Sequence, residues 1–172
     1  MTTNPERTIP PTTAGERAML ESWLDFHRET LARKCVGLDD KRLREASAPP
    51  SALTLLGLVR HMAEVERHWF RRVLAGEQEA GRIYYDEADK DGDFRVSESD
   101  TWEEAHATWQ AEIARARENA AGRSLDDLSA GGHRDIESFN LRWIYVHMIE
   151  EYARHNGHAD LIRERIDGAT GF

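Results

Sequence analysis

Apolar positions recur at three- and four-residue steps through four separate stretches of the chain, and each predicts an amphipathic helix. The longest covers residues 140–168. Asn140 is a capping residue, and Gly168 stands where a left-handed residue ends a helix. Ile144, Met148, Tyr152, Ala159, Ile162 and Ile166 form one face between them. A first helix is predicted over residues 16–36, with Leu20, Trp23, Leu24, His27, Leu31 and Cys35 inward and Gly37 as its stop. A second begins at Ser51 or Thr54, after the double proline Pro49-Pro50, and runs to Leu74; Leu55, Leu58, Val59, Met62, Val65, Trp69 and Val73 give its buried side. Thr101 and Glu104 make a capping box for a third, with Trp102, Ala105, Trp109, Ile113 and Ala116 inward and an end by Gly122. Between the first two helices the chain is polar, with one short turn near Asp39. Residues 81–100 and 123–138 are long loops, the second containing Gly131-Gly132. There is no internal repeat and no sustained strand alternation. Four amphipathic helices predict an all-α fold, an antiparallel four-helix bundle.

Two residues interrupt the apolar face of the last helix. Glu151 and His155 are four apart, so they project side by side, and a carboxylate carried into a core is costly unless something neutralises it. A divalent metal would do so. His61 lies between Leu58 and Val65 on the buried side of the second helix and supplies a third ligand. Two imidazoles and one carboxylate make a catalytic zinc set that leaves a position open for water or substrate. The other reading of the same spacing is a core histidine beside an ordinary helix pair. His147, one turn before Glu151, competes as a ligand. His158 is rotated off the shared face, and His68 is expected near the end of the bundle.

Charge and composition narrow the classes. A net charge of −9 argues against a general nucleic-acid binder, because phosphate binding needs a cationic surface. No apolar run approaches the roughly 20 residues that cross a bilayer, so no membrane partner is expected. Residues 1–13, MTTNPERTIPPTT, have no apolar signal core and read as a flexible leader, with residues 14–172 as a single domain. Cys35 stands alone, which fits a reducing cytoplasm and a packing role. Residues 87–98 imitate a calcium loop, with acidic residues at positions 1, 3 and 5, Gly92 at 6 and Glu98 at 12. The first position is Glu in place of the usual Asp, and no strong helix precedes it, so the segment reads as a solvated loop near the site entrance.

The run PSALTLLGLVRH at residues 50–61, with Leu141-Arg142-Trp143 and EEYARHNGHAD at residues 150–160, resembles the DinB-like superfamily. The likeness extends from about Glu16 onward. It is nearest to actinobacterial members related to the N-terminal domain of the mycothiol-dependent maleylpyruvate isomerase. The resemblance implies a four-helix bundle holding a divalent metal, zinc or nickel, near one end. Many members use three histidines; the mycothiol branch has His, Glu, His, which falls on His61, Glu151 and His155. It also implies a homodimer. The isomerase carries a further C-terminal domain that contributes to its substrate site, and the sequence here runs to Phe172, so isomerisation of maleylpyruvate is not expected. The function implied is a metal-dependent S-transferase that activates mycothiol or a similar low-molecular-weight thiol for attack on an electrophilic substrate. The alternatives are a metal-dependent hydrolase and a non-catalytic stress or binding protein of the same fold.

Overall fold

Three of the long helices start where a side-chain oxygen caps their free backbone N–H groups. The computed structural model describes residues 7–171. Helix α1 spans Glu16–Cys35 and a single turn, α2, spans Asp40–Leu43, capped by Asp39. Helix α3 spans Leu55–Glu66, with the Thr54 hydroxyl accepting from the Gly57 N–H at 2.9 Å. It continues without a break as a π-helix over Arg67–Leu74. Helix α4 spans Trp102–Ala120 behind the Thr101 cap, and α5 spans Leu141–Asp167. At the start of α5 the Asn140 side chain accepts from the Trp143 N–H at 2.8 Å; at its end Gly168 takes φ 77° and donates back to Glu164. Among the described residues no strand forms, so the all-α expectation holds. No helix there is long and apolar enough to cross a membrane.

α1 packs along α5, α3 packs along α4, and α3 also meets α5. The core between them holds Leu24, Leu31, Leu55, Met62, Trp109 and Met148, all essentially inaccessible. Full burial of such a side chain contributes about 1.5–3 kcal/mol. The inward stripe of α1 differs from the expected one. Trp23 is 41% exposed, while Arg28 is buried. Adjacent residues on a helix lie about 100° apart, so Trp23 and Leu24 cannot share the centre of one face; Leu24 takes it, with Arg28, Leu31 and Cys35 following at helical spacing.

Arg28 is tolerated there because it is paired. Its guanidinium donates to both oxygens of Glu66, at 2.8 and 2.7 Å, and Glu66 is fully buried. The Tyr152 hydroxyl donates to Glu66 Oε1 at 2.7 Å, and Trp109 Nε1 donates to that hydroxyl at 2.8 Å. Each of the four long helices contributes one member. This network fixes the rotation of α5, since Tyr152 must point into the core, and so places the adjoining Glu151 on the side that faces α3.

The long loops are docked, not solvated throughout. In residues 81–100, Gly92 and Asp93 are buried, and Arg60 clasps the loop through Asp100 at 2.6 Å and over the Tyr84 ring at 4.4 Å. Residues 123–138 are tied to the end of the π-helix, where Ala130 and Gly131 donate to the Leu74 and Val73 carbonyls. Of the expected leader, residues 1–6 lie outside the described residues. Beyond them, Arg7 donates to the Thr30 hydroxyl and Pro10 is buried.

Candidate metal centre

α3 and α5 bring the three expected side chains together. His61 from α3 and Glu151 and His155 from α5 each offer a ligand atom, and these atoms lie within 4.8 Å of one another. The His61 and His155 ring centroids are 4.6 Å apart. Glu151 Oε2 is 3.5 Å from His155 Nε2. His155 is buried, whereas Glu151 and His61 keep partial access.

The groups around these three fit a cation. His61 Nδ1 lies 2.7 Å from Asp93 Oδ2, which leaves Nε2 as its free nitrogen; a carboxylate behind the ring is the usual support of a metal-binding histidine. The Phe94 ring stacks on His61 at 4.3 Å, holding it from the other side. That approach depends on Gly57 in the first turn of α3: a Cβ there would lie 2.8 Å from the Phe94 carbonyl oxygen. Among the described residues, the ion-pair partners of Glu151 are imidazoles, those of His147 and His155. Its hydrogen bond with His155 holds the carboxyl below its usual range, against burial that pushes it up, and His147 and His61 act in the same sense as His155. A divalent ion requires an ionised carboxylate, and the Glu151 carboxyl is held toward that form.

The remaining histidines divide into two groups. His147 stacks on Trp143 at 4.9 Å and meets Trp69 at 4.5 Å, yet its Nε2 is 3.5 Å from Glu151 Oε1. With Glu150 and Glu151 it forms a second group of ligand atoms, so it remains a competitor. His158, expected off the shared face, is not in the ligand group, and its Nδ1 lies 3.4 Å from His155 Nδ1. His68 hydrogen-bonds His133 at 2.9 Å, and burial pushes it down to about 4, so it is neutral at physiological pH. His61 and His68 share the wall of a cavity of about 310 Å³ that also takes in Glu64, Trp69, Tyr85 and Phe94.

The calcium-like spacing does not gather its carboxylates. Glu87 pairs with Arg82, Asp89 pairs with Arg95, and among the described residues no ligand group includes a carboxylate of that loop. Cys35 is buried and its thiol is pushed up to about 12 by burial, consistent with packing and not with nucleophilic chemistry.

A family model for mycothiol-S-transferase matches residues 19–168. The chain belongs to the mycothiol S-transferase family. No curated protein matches it. The span matched to the mycothiol S-transferases begins inside α1 and ends at Gly168, so it takes in His61, Glu151, His155 and both docked loops. It also agrees with the DinB-like resemblance carried by residues 50–61 and 150–160.

Asp93, Glu64 and the Arg28–Glu66 pair were not singled out by sequence spacing. Glu66 continues the apolar row Leu55, Val59, Met62 at steps of four, three and four, so a signal for it was present. Asp93 carried none, because it is one of several acids in an acidic loop.

Proposed function

We propose that this protein is a metal-dependent S-transferase that joins mycothiol, or a thiol of the same class, to an electrophilic small molecule. The observation that carries the reading is the convergence of His61, Glu151 and His155 beside a cavity, in a chain of the mycothiol S-transferase family. His61, Glu151 and His155 hold the divalent ion, with zinc suiting two imidazoles and a carboxylate and nickel as the alternative. A bound ion of this kind lowers the pKa of a thiol, so that thiolate is present at neutral pH. Asp93 and Phe94 keep the His61 ring oriented. Trp69, Tyr85 and Phe94 supply an apolar side to the cavity beside His61, against which a substrate can rest. The thiolate sulfur forms a bond to the electrophilic carbon, and the leaving group departs with its electron pair. A homodimer is part of the proposal; Trp143, Val146 and Leu161, exposed along the outer side of α5, supply apolar surface for one.

Metal analysis of untagged protein and thiol titration test the reading together. Ultraviolet absorbance of a thiolate should develop at neutral pH when thiol is added to metal-loaded protein, and not with the chelated form. Glu151→Gln keeps size but removes charge, and should lose metal and thiolate signal together while the helix persists. Full metal with no thiolate from any physiological thiol would refute the transferase reading and favour hydrolysis, where the same ion activates water.

A further inference from the structure

Glu64 follows His61 by three residues on α3, so both project from the same side of the helix, and both line the 310 Å³ cavity. Its residue surface is 5% exposed. One carboxylate oxygen, Oε1, accepts from the backbone N–H groups of Ile83 and Tyr84, which anchors the residue 81–100 loop over α3. Oε2 has no hydrogen-bond or ion-pair partner among the described residues, and it is not one of the fully enclosed polar atoms. Asp91, the other uncommitted carboxylate of this wall, is exposed to solvent, whereas Glu64 is buried. Asp93 is committed to His61. His68 has its Nε2 on His133 and its Nδ1 enclosed without access to the cavity.

We propose that Glu64 Oε2 takes the proton that a thiol gives up in this cavity and returns it to the leaving group of the electrophile. The inference rests on the S-transferase reading. The S–H bond breaks with its electron pair staying on sulfur, and an O–H bond forms on Glu64. Once sulfur has bonded to carbon and the leaving group has departed, that proton neutralises it and Glu64 is again a carboxylate. The surroundings suit the task. Burial pushes the Glu64 carboxyl up, and the Asp93 charge adds to this; the two backbone N–H groups and Arg67 oppose them. Tyr85, Lys90 and Asp91 from the loop, His61 from α3 and His68 from the π-helix are the other charged and titratable groups of the wall. A carboxylate with raised proton affinity is better matched to accepting a proton near neutral pH than a fully solvated one.

Proton release on thiol binding tests the assignment without relying on turnover. Zinc-loaded protein is titrated calorimetrically with N-acetylcysteine, slightly above neutral pH, in two buffers of different ionisation heat. Wild type should release almost no proton to buffer, because Glu64 keeps it, whereas Glu64→Gln should release about one per thiol bound. Gln retains an oxygen for the Ile83 and Tyr84 N–H groups, so the loop should stay docked. Glu64→Asp keeps a carboxylate and should again hold release near zero. Turnover in Glu64→Gln should fall about 10²–10⁴-fold with zinc content kept. Equal proton release from wild type and Glu64→Gln, with thiol bound in both, overturns the role of Glu64 and leaves the transferase reading intact. Failure of zinc-loaded wild type to bind thiol at all overturns the transferase reading and this role with it.

Discussion

His61 Nδ1 is held by Asp93, 2.7 Å away, which leaves Nε2 oriented for the proposed metal ion. Removing it in Asp93→Ala should weaken zinc binding by about 10–100-fold while the helical content stays unchanged, as competition with a chelator would measure. Metal affinity equal to wild type would show that the contact does not support the centre. His68 makes a different case, since burial holds it neutral and down to about 4 against an ordinary value of 6.5. A depressed imidazole contributes stability that is complete above the unfolded value and is lost as pH falls through the folded one. Thermal stability should therefore decline between about pH 6.5 and 4, by up to about 3 kcal/mol from this group. His68→Gln should flatten that decline; an unchanged pH profile in the variant would remove His68 as its source.

Among the elements, the four long helices were legible because their ends carry their own chemistry. Thr54, Thr101 and Asn140 cap as side-chain oxygens must, and Gly168 closes α5 in the left-handed conformation. His61, Glu151 and His155 were legible because each interrupts an apolar face at helical spacing. The π-helix over Arg67–Leu74 was not, since its apolar residues fit ordinary helical spacing well enough to give no warning. Nor was the docking of residues 81–100, which depends on Glu64, Arg60 and Gly57 meeting atoms more than fifteen residues away. The Arg28–Glu66 pair joins α1 to α3 inside the core, and it sets a sharp contrast between single and paired substitutions. Glu66→Ala removes the two-point partner of a buried guanidinium, which keeps its contact with Asp25, and should cost about 3–5 kcal/mol in urea unfolding, whereas Arg28→Met with Glu66→Leu should cost far less or stabilise. Equal losses from the single and the double variant would mean that the pair is not what holds α1 against α3.

For the whole molecule, the apolar core and the Arg28–Glu66–Tyr152–Trp109 network stand apart from the candidate centre and involve none of its three ligands. The helices should therefore persist when the metal is stripped, and only the increment that ligand binding adds to the native state should disappear. The residue 81–100 loop has a consequence in time as well as in space. Phe94 lies on one face of the His61 ring and Asp93 behind it, so an ion held as proposed would have one of its ligands locked in place by this loop. Its escape then waits on a local opening of the loop, not on the bond strengths alone. Release into excess chelator should be slow and first-order, independent of chelator concentration. It should quicken in urea too dilute to unfold the helices, because a loop opens at lower free energy than a core. Loss of metal that instead scales with chelator concentration would mean that the loop is no barrier and that the ion is reached directly from solvent.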